Sequence, residues 1–229
     1  MAAKKLLSTE ILRFYQGLSP DFPMPDGVSV MHPYGEPEVW KAVKQFYQKF
    51  YADHHSRVIL FGINPGRFGA GVTGVPFTDP IRLEKICGVP NPFEKRFELS
   101  SEFIYEVVEA WGGADAFFGR FFVSALSPLG FLREGKNLNY YDDKVLCREA
   151  TPFILDCVRR QKQMCGGEDV AFCLGEGTNY KFFTRLNAAH GLFRKIIPLP
   201  HPRWVMQYRR KSKQSFVQLY VRRLREQEL

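Results

Sequence analysis

The sequence lacks the features that would place it in a membrane, an export pathway or a metal site. No apolar run approaches the ~20 residues needed to span a bilayer. The opening MAAKKLLSTEILRFY has two lysines but only a brief apolar run before Ser and Glu, so no secretory signal is predicted and the expected compartment is the cytoplasm. Cys87, Cys147, Cys157, Cys165 and Cys173 form no C-x-x-C pair, which predicts buried thiols and no metal ligands. Repeats, low-complexity linkers and breaks in composition are absent, so residues 1–229 are expected to form one domain. Neither the G-K-[ST] ending of a phosphate loop nor a G-x-S-x-G elbow is present, which argues against a Walker-type nucleotide enzyme and a serine esterase.

What the chain does have is positive charge, and most of it sits at one end. The net charge is +8, and eight basic residues face two acidic ones from Arg203 onward. Such a concentration beside a candidate site points to a polyanionic partner. Four short apolar runs, SRVILFG, RFFVSAL, DVAFCLG and RKIIPLP, read as buried strands. Between and around them lie amphipathic stretches, among them PEVWKAVKQFYQKFY, SSEFIYEVVEAW and TNYKFFTRLNAAH. The stretch DDKVLCREATPFILDCVRRQ is helical in period with an interruption expected at Pro152. A last helix, RRKSKQSFVQLYVRRLREQ, would bury Phe216, Leu219, Tyr220 and Leu224. Strands alternating with helices predict an α/β fold, a three-layer α/β/α arrangement around a four-stranded parallel sheet. Ligands of such sheets bind beyond the carboxyl ends of the strands, so GINPG, SALSPL, GEGTN and HPRW should converge.

One stretch, LFGINPGRFGAGVTG, holds two competing patterns. Gly69, Gly71 and Gly74 spell G-x-G-x-x-G, but the first of them stands eight residues past the strand and the third runs into VPFTDP. A dinucleotide loop needs the strand immediately before and a helix immediately after, so no cofactor is expected. The glycines suit a loop that lets backbone approach something closely. Asn64, between Gly62 and Pro65, reads either as a turn residue or as a functional amide.

The longer segment FGINPGRFGAGVTGVPF resembles motif one of the uracil-DNA glycosylase superfamily, in the form used by its single-strand-selective monofunctional (SMUG) family, G-M-N-P-G-P-F-G continuing into T-G-V-P-F. FFVSALSPLGF followed by EGKNL resembles that family's F-V-x-N-x-C-P-L and G-R-N-L. CLGEGTNYKFF resembles its G-V-G-R turn, and LPHPRW its H-P-S-P-R motif two. The likeness runs over roughly residues 45–210 and is closest to a bacterial SMUG-like branch.

The resemblance implies a monofunctional DNA glycosylase of base excision repair with this fold. Asn64 would position the attacking water, and His201 would meet the carbonyl oxygen of the leaving base. Gly62, Ile63 and Gly66 would bring backbone to the base, and Phe77 would stack on it. Arg203 and Trp204 lie where the family inserts a wedge. Tyr208 could stack on bases, and Arg209, Arg210, Lys211 and Lys213 would contact phosphate.

Two departures stand out. Where the family reads uracil with an asparagine, this chain has Ser124-Ala125, and Ser127 replaces the cysteine. That predicts a looser pocket accepting uracil and also xanthine or hypoxanthine. HPRWVMQYRRK lacks the second proline of motif two, which implies a differently shaped wedge. The expected partner is DNA, single- or double-stranded, bound by a monomer associated with the nucleoid. The alternative is a nucleic-acid-binding module that has lost catalysis.

Overall fold

A computed structural model describes residues 5–227. In chain order its elements are α1 (Leu7–Gln16), β1 (Val28–Met31), α2 (Pro37–Phe50), β2 (Val58–Gly62), α3 (Ala70–Thr73), α4 (Pro80–Lys85), α5 (Leu99–Trp111) and α6 (Ala114–Arg120). There follow β3 (Phe121–Ala125), β4 (Gly130–Arg133), β5 (Lys136–Leu138), α7 (Lys144–Met164), β6 (Val170–Leu174), α8 (Thr178–His190), β7 (Lys195–Leu199), α9 (Pro202–Tyr208) and α10 (Lys213–Arg225).

The four apolar runs form the expected parallel sheet, in the order β3-β2-β6-β7. Every residue of β2 and β3 is buried, as continuous apolar strands must be when both sheet faces are covered. Neighbouring residues of β3 serve opposite layers. The Phe122 ring lies 6.2 Å from Tyr47 and 5.9 Å from Tyr51, at the end of α2. The Phe121 ring lies 4.9 Å from Trp111 of α5. This strand alternation defines the three layers and sets which side chains reach the site.

A second sheet was not expected from the sequence. It is antiparallel, ordered β1-β4-β5, with β4 and β5 joined as a hairpin through Glu134 and Gly135. Its strands are three or four residues long, too short to register as alternating patterns. The glycines of the apparent fingerprint serve packing around it. A methyl on Gly71 would collide with Met31 of β1, and one on Gly74 with Val43 of α2. The only helix here is the single turn α3, which starts inside the triplet rather than after it.

Three further differences have local causes. Helix α7 runs unbroken through Pro152, which lies on its exposed side, where a missing hydrogen bond costs least. The buried face of α10 is Val217, Tyr220, Val221 and Leu224; Leu219 is only half-buried, so the stripe is rotated from the one expected. Helix α9, unexpected, starts at Pro202 with its fixed φ and is capped by His201. Among the described residues no helix is long and apolar enough to cross a membrane. Burial pushes all five cysteine thiols up from their ordinary range.

Arg57 anchors the start of β2. Its fully buried guanidinium donates to Phe118 O (2.8 Å), His55 O (2.9 Å) and Asp53 Oδ2 (2.6 Å). Arg57→Met would orphan those acceptors and is expected to cost about 3 kcal/mol, to be read from denaturant melts.

Candidate active site

The site begins where β2 ends. Asn64 leaves the sheet with both ends of its amide engaged by backbone, chiefly that of β5 and the turn after it. Its Nδ2 donates to Leu138 O (3.3 Å) and to Pro65 O (3.4 Å), while Oδ1 accepts from Tyr140 N–H (3.2 Å). Those partners fix which end is oxygen and leave Oδ1 one free lone pair. The rest of the loop is clamped by the same hairpin. Arg67 N–H donates to Asn137 Oδ1 (3.0 Å), and the Arg67 guanidinium donates to Gly135 O.

Gly62 matters for what it leaves out. A Cβ there would stand 2.6 Å from Phe77 Cε2 and 2.7 Å from its Cζ, so the ring lies directly over the strand end. Phe77 holds φ at 54°, a left-handed conformation strained for any residue with a side chain. Its ring centroid is 6.2 Å from that of His201.

His201 caps α9 by accepting the Arg203 N–H at Nδ1 (3.1 Å). With Nδ1 an acceptor, the neutral ring carries its proton on Nε2. Burial, reinforced by the Arg203 charge, lowers its pKa to about 4. The ring is therefore an uncharged donor at neutral pH.

These groups share one cavity of about 450 Å³, lined by Ile63, Asn64, Gly66, Phe77, Ala125, His201 and Arg203. Residues the sequence did not single out complete the wall, among them Tyr34, Arg67, Phe68, Glu98, Ser100 and Asn137. Arg67 and Phe68 carried a signal beforehand through their place in the motif-one segment, and Asn137 through its place in EGKNL. The GEGTN turn instead lines an adjoining cleft of about 340 Å³, which it shares with Ile63, His201 and Trp204. Three of the four loops thus meet in one cavity and the fourth borders it.

Two expectations need correction. Ser124 does not face the cavity: it pairs with Phe61 and lies fully buried on the face of Phe122, while Ala125 pairs with Gly62 on the cavity side. Nor are all the basic residues free for phosphate. Lys213 is paired with Glu106 (2.5 Å) and Glu102 (3.8 Å), and Arg210 with Glu102 (3.6 Å), so both tie the C-terminal segment to α5. Arg203, Arg209, Arg210 and Lys211 remain exposed, as does Tyr208. Trp204 is held between the Arg209 guanidinium, 5.0 Å from its ring, and Phe216, 6.0 Å away edge-on.

A parallel sheet presenting a fixed amide and an uncharged imidazole in one cavity suits the release of a leaving anion. The sequence model of the Uracil DNA glycosylase superfamily matches residues 48–225, and the chain belongs to that superfamily: it is a DNA glycosylase, an enzyme of DNA repair. The crystal structure of wild-type Pedobacter heparinus SMUG2 is similar at 40% identity with a TM-score of 0.94, over 97% of this chain and 98% of that one. This chain is thus SMUG-like. No curated protein matches it.

The Gly62–Phe77 contact predicts that Gly62→Ala displaces the ring and slows base release about a hundredfold, the scale of a 1 Å misplacement; single-turnover rates test it. The histidine gives a stability prediction. Its folded pKa lies below the usual 6.5, so only the unfolded chain takes up a proton between pH 6.5 and about 4. Stability is full above pH 6.5 and is lost as pH falls through that window. Denaturant melts at pH 7.5 and 5 should show a smaller acid loss in His201→Gln.

Proposed function

We propose that this protein is a monofunctional DNA glycosylase that hydrolyses the N-glycosidic bond of deaminated bases, uracil among them. One observation carries the reading: the cavity holds the pinned Asn64 amide, the neutral His201 ring and the Phe77 face together. A base inside a duplex is out of reach, so the nucleotide enters flipped and its base lies on Phe77. As the bond breaks, its electron pair leaves with the base and the sugar gains positive charge; water then adds to the sugar carbon, and its surplus proton neutralises the departed base anion. An amide takes no proton near neutral pH, so Asn64 orients that water through its free Oδ1 lone pair rather than deprotonating it. The Nε2–H of His201 donates to the carbonyl oxygen on which negative charge collects. No lysine lies in the loop from Gly62 to Phe77, so no Schiff base forms and hydrolysis ends the reaction.

Base choice follows from Ala125. Its methyl offers no hydrogen bond where the family places an asparagine, so the base edge is read by backbone groups and shape. This supports a pocket that accepts xanthine or hypoxanthine beside uracil. Arg203, Arg209 and Lys211 then contact phosphate, with Trp204 and Tyr208 beside the opened strand, while Arg210 and Lys213 brace the segment against α5. The protein acts as a monomer and needs no cofactor.

The test is base release from labelled oligonucleotides carrying uracil, xanthine or hypoxanthine, single- and double-stranded. Abasic sites should form without strand cleavage until alkali is added. Asn64→Ala is expected to slow release at least about tenfold, and His201→Gln about a hundredfold, the usual loss for one anion-stabilising donor. DNA binding without base release would overturn the reading.

A further inference from the structure

The mouth of the cavity and the chain segment before Glu98 carry two exposed phenylalanines that the hydrolytic mechanism leaves unused. Phe68 lines the cavity yet is 38% exposed. Phe97, at 71%, is the most exposed large apolar side chain among the described residues. Arginines interleave the rings. Arg67 and Arg96 place guanidiniums 4.5 and 5.5 Å from the Phe68 centroid, and Arg82 lies 5.6 Å from that of Phe97. Single exposed apolar residues need no explanation, but Phe68 at the cavity edge and Phe97 are each faced by arginine and are linked through Arg96, which covers Phe68 and precedes Phe97 in the chain.

The rings stand on a fixed base. Asp79 caps α4 through Ile81 N–H (3.1 Å) and Arg82 N–H (2.9 Å), and also accepts from Glu98 N–H (3.2 Å). Glu98 in turn accepts Ser101 N–H (2.8 Å) at the start of α5. On the other side, Arg67 is held by the hairpin.

Charge does not explain the cluster. Arg96 is paired with Glu94 (2.8 Å), Lys95 with Glu84 (2.5 Å) and Arg82 with Asp79, which leaves Arg67 as the cation there without a carboxylate partner among the described residues. A nearly neutral rim holds phosphate weakly. What it offers is flat apolar surface edged with guanidinium, the surface on which unpaired bases stack.

We propose that Phe68 and Phe97, with Arg67, form a second nucleotide-binding subsite on which unpaired bases flanking the excised nucleotide stack. The proposal rests on the glycosylase reading for its geometry, because the strand that delivers a base to the cavity crosses this rim. In a duplex the flanking bases stay stacked on each other, so the subsite acts on single strands. Stacking exchanges few counterions, so its contribution survives salt. The exposed cations of the C-terminal segment supply the salt-sensitive part.

The test is fluorescence anisotropy with undamaged single-stranded and duplex oligonucleotides over a range of salt, using the full chain. The double variant Phe68→Ala/Phe97→Ala should weaken single-strand binding at least about tenfold, as loss of two stacking rings does. Duplex binding should change less than about twofold and the salt slope should stay the same. Phe97→Trp should retain single-strand affinity, which separates stacking from loss of fold. Equal losses on both DNA forms, or no loss, would overturn the subsite. The readout needs no excision, so the two proposals fail separately. If hydrolysis were wrong, the wild type would release no base while the binding difference remained. If the subsite were wrong, base release would persist and the double variant would bind single strands as the wild type does.

Discussion

In the proposed hydrolysis an amide can orient water but take no proton near neutral pH, so the grip on Asn64 is the constraint around which the candidate site is arranged. That grip comes from Leu138 O and Tyr140 N–H, two backbone groups on the far side of the chain from β2. Each is fixed in turn. Asn139 donates from both N–H and Nδ2 to Asp142 Oδ2 (2.9 and 2.8 Å), which closes the turn after β5. The buried Tyr140 hydroxyl donates to Asn179 Oδ1 (2.7 Å) at the start of α8. The small antiparallel sheet, peripheral by size, is therefore the support of the candidate catalytic amide, and the turn following it joins that support to the main sheet.

The main sheet was legible because its strands are buried on both faces and so read as unbroken apolar runs. The Asn-Pro loop and the HPRW segment were legible because an open parallel sheet exposes only its carboxyl ends to ligand. What escaped was set by contacts distant in sequence or by single-residue parity. Ser124 and Ala125 are adjacent, so only one can face the cavity, and the apolar run FFVSAL by itself does not say which, although its alignment with the family motif puts Ala125 at the asparagine position. Parity is decided by Gly62, whose partner in register is Ala125. Likewise Arg210 and Lys213 looked free because their counter-charges, Glu102 and Glu106, stand more than a hundred residues earlier, one turn apart on α5.

Those ion pairs change the meaning of the basic C-terminal segment. Part of its charge is structural, holding the segment after α9 against α5, and only part faces outward. The Arg209 guanidinium and the edge-on Phe216 hold the Trp204 ring where a differently shaped wedge was expected. The missing second proline of motif two is thus replaced by a capped helix, α9, whose first residues carry the imidazole and whose side bears the indole.

The cysteines acquire a significance beyond their packing. Four of the five are buried, and all five thiols are held protonated by desolvation. The thiolate is the form that reacts with oxidants and nitrosating agents. Nitrosation is also a chemical route by which exocyclic amines of DNA bases become carbonyls. The four buried thiols consequently present little for such reagents to attack.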